Sequence, residues 1–210
     1  MNILKRIIGF LVLGFSLAAA AQELAPDQLV QKVTEEVLSA IKSDKQLAAG
    51  DKQKALKLAE EKVLPYIDFE ESTRLAVGRA WSQATPEQRK KLVGEFRNML
   101  VRTYSNSIEA YQGQTMKVLP SRGGKGEAKD EATVRAQFVR AGGKPLPIEF
   151  QMRNNGKTWK VYDIAVEGIS LVLTYRSEFD AVVKQDGVDG LIKRLGQKNT
   201  PAAAVGGTKK

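Results

Sequence analysis

Few side chains in this sequence could do chemistry, and two kinds are missing altogether. Neither cysteine nor histidine occurs among the 210 residues. That excludes thiol nucleophiles, disulfide frameworks, His-based triads, zinc fingers and haem ligation. Gly123-Gly124-Lys125-Gly126 is not followed by a helical pattern, so it reads as a polar surface loop and not as a phosphate cradle. No P-loop, dinucleotide fingerprint, G-x-S-x-G elbow or EF-hand loop is present. The acidic pairs Glu35-Glu36, Glu60-Glu61 and Glu70-Glu71 fall on expected helices. Adjacent helical residues diverge by about 100°, so these carboxylates do not converge on a metal or a glycosidic bond. The sequence therefore indicates no metal site and no cofactor.

One carboxylate stands apart. Asn155-Gly156 reads as a two-residue hairpin turn between alternating segments. That turn sets Met152 opposite Trp159, Phe150 opposite Val161 and Ile148 opposite Asp163, which puts Asp163 on an apolar sheet face. A carboxylate there would have a raised pKa or would pair with a cation. Two readings follow: an acid/base inside a cavity, or a structural ion pair with Arg176.

The same pattern defines the sheet that holds it. If Gly142-Gly143-Lys144 is a three-residue loop, Phe138 faces Ile148, Ala136 faces Phe150 and Val134 faces Met152. A two-residue loop would scramble the faces. One face then carries Val134, Ala136, Phe138, Ile148, Phe150, Met152, Trp159 and Val161. A further strand around Met116 and Val118 ends at Pro120, and Ser121 to Asp130 reads as a loop.

Helices flank the sheet on both sides in sequence. Asp27 is a candidate N-cap, and Leu29, Val33, Val37 and Ile41 recur at helical spacing, predicting a helix over 27–43. Others are expected over 51–64, stopped by Pro65, and over 68–80, leading to Trp81. Thr85-Pro86-Glu87-Gln88 is a capping box with proline in the first turn. The helix beginning there runs to about Tyr111. Its apolar members, among them Leu92, Phe96, Leu100, Tyr104 and Ile108, cover about half the circumference. So broad a face must be wrapped by other elements or must meet something apolar that is not protein. Helical patterns return from Leu171, are interrupted at Gly187 and end near Leu195. Together these elements predict an α+β fold, with helices covering the apolar face of a curved antiparallel sheet.

Composition bounds where such a protein works. Lys5 and Arg6 precede an apolar run from Ile7 to Leu17, followed by Ala18-Ala19-Ala20-Ala21. This is a secretory signal peptide over 1–21, cut before Gln22; the run is too short to span a bilayer. Cleavage removes two of the nine net positive charges. Residues 22–198 are expected to form one domain, with 199–210 a disordered tail. The remaining positive charge suits anionic membrane surfaces. It does not suit nucleic acid, because no basic stripe interleaves with aromatics.

The carboxy-terminal half carries a recognisable string. Trp159-Lys160-Val161-Tyr162-Asp163, Glu167-Gly168-Ile169-Ser170-Leu171-Val172 and Tyr175-Arg176-Ser177-Glu178-Phe179 resemble the signature of the MlaC family, the toluene-tolerance auxiliary component of an ABC system. Gly78-Arg79-Ala80-Trp81, the Thr85 to Gln88 helix start and Thr103-Tyr104 are similar to that family's middle segment. The resemblance implies a cone like that of nuclear transport factor 2, enclosing an apolar cavity. It also implies a periplasmic phospholipid carrier, monomeric and without enzymatic activity. Such a carrier serves an inner-membrane ABC transporter complex and an outer-membrane lipoprotein–porin complex, and helps keep outer-membrane lipids asymmetric. The expected lining is Trp81, Phe96, Leu100 and Tyr104 from the helices, with Val134, Phe138, Ile148, Phe150, Met152, Trp159 and Val161 from the sheet. For each, plain core packing is the alternative. An enzyme using Asp163, or an adaptor with a filled core, are the competing functions.

Overall fold

In a computed structural model the chain is described over residues 24–105, 113–120, 129–139 and 142–200. The expected signal peptide, most of the loop from Ser121, the helical positions Ile108 and Tyr111, and residues 201–210 of the expected tail lie outside the described residues.

The amino-terminal half is helical. α1 (Pro26–Ser43) starts one residue before the expected cap. Pro26 presets the first turn, and the Gln28 side chain accepts a hydrogen bond from the Ala25 N–H at 3.2 Å. Asp27 therefore sits inside the first turn, where its charge opposes the helix dipole. The polar interval after it holds a short helix, α2 (Lys45–Ala48), capped by Asp44, which accepts from the N–H groups of Gln46 and Leu47. Asp51 caps α3 (Lys52–Lys62), and Pro65 lies in a 3₁₀ turn, Leu64–Tyr66, that follows.

Instead of one helix over 68–80 there are two, α4 (Phe69–Val77) and α5 (Ala80–Gln83). Gly78 divides them with φ +65°, which disfavours any residue with a Cβ, and a Cβ there would lie 3.0 Å from Arg176 Nε. α6 (Pro86–Ser105) begins with both halves of its capping box formed. Gln88 Oε1 accepts from Thr85 N–H at 3.0 Å, and Thr85 Oγ1 from Gln88 N–H at 3.2 Å.

Among the described residues five antiparallel strands follow in sequence order: β1 (Thr115–Val118), β2 (Glu131–Val139), β3 (Leu146–Asn154), β4 (Trp159–Val166) and β5 (Ile169–Ser170). The faces match the alternation in sequence, but both hairpin registers differ from expectation. Between β2 and β3 the pairs are Phe138–Leu146, Ala136–Ile148, Val134–Phe150 and Ala132–Met152, displaced by two residues. A shift of two keeps every side chain on its face, so patterning cannot detect it. Between β3 and β4 the turn is longer than two residues, with Asn154 opposite Trp159. Asn155 Oδ1 accepts from the N–H groups of Lys157 and Thr158, which builds the turn from a side chain.

A bulge then displaces β4 against Gln151 and Met152, so Met152 faces Val161 while Phe150 faces Ile164. Such an insertion bends and twists a strand. It also moves Asp163 off the apolar row and opposite Gln151, which itself pairs with Thr133. After β5 comes α7 (Arg176–Asn199), kinked at Gly187 with φ +70° as the sequence led one to expect. Asn199 closes this helix, its amide nitrogen donating to Glu95 O at 2.9 Å.

Three apolar cores result among the described residues, the smallest joining α1, α2 and α3 through Ile41, Leu47, Ala55 and Leu58. α6 packs on α7 around Leu92, Phe96, Phe179 and Leu195, all buried. Phe96 meets Tyr175 and Phe179 edge-on at 5.5 and 5.4 Å. The second core joins α1 to the sheet through Leu29, Val30, Val134, Met152 and Val161.

Candidate functional site

Between α1 and the sheet lies a chamber of about 500 Å³. Leu29, Val33, Val37 and Ile41 form one wall, while Phe138, Phe150 and Met152 form the opposite one. The helical wall exists because these four residues recur every four positions and so share one helix face. A second chamber, of about 360 Å³, lies between α3, α6 and β4, lined by Leu64, Phe69, Leu100, Val101, Tyr104 and Leu171 among others. Both fall within the roughly 300–1,000 Å³ of ordinary ligand pockets. Val63, Ile67, Val161 and Ile164 line both, so the chambers meet along one shared wall.

That wall is pinned by backbone bonds. Ile67 bridges Val161 in parallel, Asp68 N–H donates to Val161 O at 2.8 Å, and Leu171 N–H donates to Ile164 O at 2.9 Å. Glu71, buried on α4, anchors the same region. It accepts from Arg74 Nε at 2.7 Å and pairs with Arg153 Nη2 of β3 at 2.9 Å. Hydrogen bonding from Arg74, with the Arg153 and Arg74 charges beside it, holds the Glu71 carboxyl below its ordinary range. Burial pushes the Tyr162 phenol up. It pushes Tyr104 up to about 12, aided by a hydrogen bond with Tyr175.

Of the expected lining, Phe138, Phe150, Met152 and Val161 stand in the first chamber, and Leu100, Tyr104 and again Val161 in the second. Five residues do not line either chamber. Trp81 and Phe96 belong to the α6–α7 core, Val134 is fully buried in the sheet core, Trp159 packs against that core, and Ile148 lies beyond the chamber in the row of Ala136 and Val166. The α1 stripe and Ile67 were not foreseen as lining. The stripe was visible as helical spacing, which does not say whether an apolar face meets side chains or open space.

The expected ion pair between Asp163 and Arg176 does not form. Asp163 Oδ1 accepts from Ile164 N–H at 2.8 Å and Val172 N–H at 3.2 Å, and Oδ2 accepts from the Ser170 hydroxyl. These three donors satisfy the carboxylate without a cation, and the Arg176 guanidinium lies against Gly78 instead. Asp163 does border the second chamber, with its oxygens already taken up. Among the described residues no cluster of three or more acidic side chains could hold a metal ion, and no helix is long and apolar enough to cross a membrane.

Two apolar chambers with a common wall can take up hydrocarbon. Comparison with known proteins points the same way. The chain is 24% identical over 208 residues to the intermembrane phospholipid transport system binding protein MlaC of Haemophilus influenzae, covering 94% of this chain and 95% of that protein. It is 25% identical over 190 residues to the toluene tolerance protein ttg2D of Pseudomonas putida, covering 90% and 86%. A solved phospholipid-binding protein from Ralstonia solanacearum, in complex with a phospholipid, is 33% identical with a TM-score of 0.74, covering 84% of this chain and 97% of that one. The family model described as MlaC protein matches residues 31–197. With four-fifths of its length matched in this way, the chain belongs to the MlaC family.

Proposed function

We propose that the protein is a periplasmic phospholipid carrier that holds acyl chains in its two chambers. The observation that carries this reading is the pair of apolar spaces joined along Val63, Ile67, Val161 and Ile164. A glycerophospholipid has two chains diverging from one end, and two chambers sharing a wall accept that shape. Each buried methylene contributes about 0.8 kcal/mol, so a chain of about fifteen supplies roughly 12 kcal/mol before ordering costs. The charged headgroup is costly to bury and stays at the mouth in water. Affinity of that size does not release lipid by itself. The carrier therefore needs a partner for release, and the family resemblance implies two: an inner-membrane ABC transporter complex and an outer-membrane lipoprotein–porin complex. Exchange between them serves outer-membrane lipid asymmetry. The leader expected over residues 1–21 supports export, and the relatives' names support phospholipid as cargo.

Nothing favours the enzyme reading, since the Asp163 oxygens are satisfied by Ile164, Ser170 and Val172. Organic extraction of the gently purified protein, followed by mass spectrometry, tests the proposal. Diacyl phospholipid in near-stoichiometric amount is expected, and a lipid-free extract counts against it.

A further inference from the structure

The sheet carries an apolar row that lines neither chamber. Val118, Ala136, Ile148, Val166 and Ile169 stand directly opposite one another from β1 to β5. Paired residues share a face, and so do residues two apart along a strand. The row therefore lies beside Phe150 and Ile164, which pair with each other and line the first chamber. Ala136 is buried, Ile148 and Val166 are half-buried, and Ile169 at the β5 edge is 62% exposed. The apolar wall of the chamber thus continues, one row over, to the surface. Leu173 is 44% exposed, and its N–H donates to Ser170 Oγ at 2.9 Å, which keeps it next to β5.

This exposure is held in place by the backbone. β4 turns into β5 through Glu167 and Gly168, with φ +53° and +81°, as in a tight two-residue hairpin. Asp163 then accepts from the Ser170 hydroxyl and from Val172 N–H, which fixes the segment between Ile169 and Leu173. Apolar side chains presented on so rigid a corner lose little further freedom on meeting an apolar partner. Cations outnumber acids on the elements that meet there. Exposed Arg176 lies against Gly78, next to exposed Arg79. Exposed Lys144 precedes Pro147, whose carbonyl accepts from Glu167 N–H at 3.0 Å. The acids are Glu167 on the turn, Asp180, paired with Lys184 at 2.6 Å, and Glu178, paired with Lys198.

We propose that the Ile148–Val166–Ile169 row, with Leu173 beside it, seats the carrier on an anionic bilayer and is the surface over which acyl chains pass into the first chamber. The inference rests on the carrier reading and deepens it. The row leads outward from a space that holds lipid, so its outer end should meet something that offers chains, as a bilayer does. Exposed apolar side chains flanked by cations suit hydrocarbon lying beneath anionic headgroups.

The purified protein is sedimented with vesicles of phosphatidylglycerol or of phosphatidylcholine, and the lipid it takes up is measured over time by extraction. The parent is expected to bind the anionic vesicles at least about fivefold more tightly, and less so as salt is raised. Ile169→Ser/Leu173→Ser alters only exposed side chains, so the fold is kept. This variant is expected to bind anionic vesicles about tenfold more weakly and to load lipid more slowly, while reaching the parent's final lipid content. A second readout uses the absence of cysteine from the chain. Ile169→Cys offers a single attachment point for nitrobenzoxadiazole, whose emission should rise on anionic vesicles. A double variant that binds and loads like the parent, or emission that vesicles leave unchanged, overturns the proposal. So does emission that changes on native membranes but not on vesicles of their extracted lipids, which would assign the surface to a membrane protein. A parent that loads lipid without binding vesicles overturns this inference alone. One that acquires no lipid, from vesicles or from the cell, overturns the carrier reading itself.

Discussion

The backbones of Ile67 and Val161 form a parallel bridge, and both side chains stand in the wall common to the two chambers. A charge placed there reaches both spaces at once. Ile67 is half-buried, so a carboxylate at this position retains some water and the fold survives. Ile67→Glu is expected to lower phospholipid retention at least about tenfold, or about 1.4 kcal/mol, while circular dichroism stays that of the parent. Unchanged lipid content in the folded variant would show that the shared wall does not meet the chains.

Core and lining separate by their cost to stability. Phe96 is fully buried against Tyr175 and Phe179, so Phe96→Ala should destabilise the delipidated protein by about 3–5 kcal/mol. Phe150 faces open space on one side, so Phe150→Ala should cost clearly less in the same urea titration. Its effect should appear in lipid affinity instead. Equal destabilisation would mean that the first chamber is closed by packing in solution.

Glu71 makes stability depend on acid. Its carboxyl is held below its ordinary range by Arg74 and Arg153, so the folded state favours the ionised form. The stabilisation it gives is complete above the unfolded value of about 4.3 and is lost as pH falls through the lower folded value. Glu71→Gln should therefore be less stable than the parent at pH 7, with the difference shrinking on acidification below about pH 4.3. Chemical denaturation at several pH values would reveal it, and a pH-independent difference would show that the ion pair is not the cause.

Asp163 holds the β4–β5 corner together by accepting from Ile164, Ser170 and Val172. Asp163→Asn keeps an acceptor oxygen but loses the charge that strengthens these bonds. A destabilisation of about 1–3 kcal/mol is expected, with lipid binding retained by the folded fraction. Loss of a catalytic turnover in a variant of parental stability would instead revive the acid/base role.

The α+β architecture was legible because the chain changes period cleanly, from helical spacing in the stripe Leu29, Val33, Val37 and Ile41 to alternation in Val134, Ala136 and Phe138. The MlaC signature was equally readable in the string from Trp159 to Phe179. Register was not, since a slip of two leaves Phe138 on the same face whether it meets Ile148 or Leu146. Nor was the β4 bulge, which inserts a residue without any compositional mark and so carried Asp163 to the wrong row. Among the expected lining residues, Leu100 and Phe96 come from the same apolar helix face, yet only Leu100 reaches a chamber. Hydrophobicity records that a side chain avoids water and does not record what it touches.

The central claim is that the joined chambers hold the two chains of a phospholipid. Native mass spectrometry of the delipidated protein after incubation with phosphatidylethanolamine vesicles tests it most directly. The account predicts a mass increase equal to whole diacyl lipid, abolished in Ile67→Glu and preserved in Asp163→Asn. Protein that emerges from the vesicles with its mass unchanged, while still folded, would contradict it.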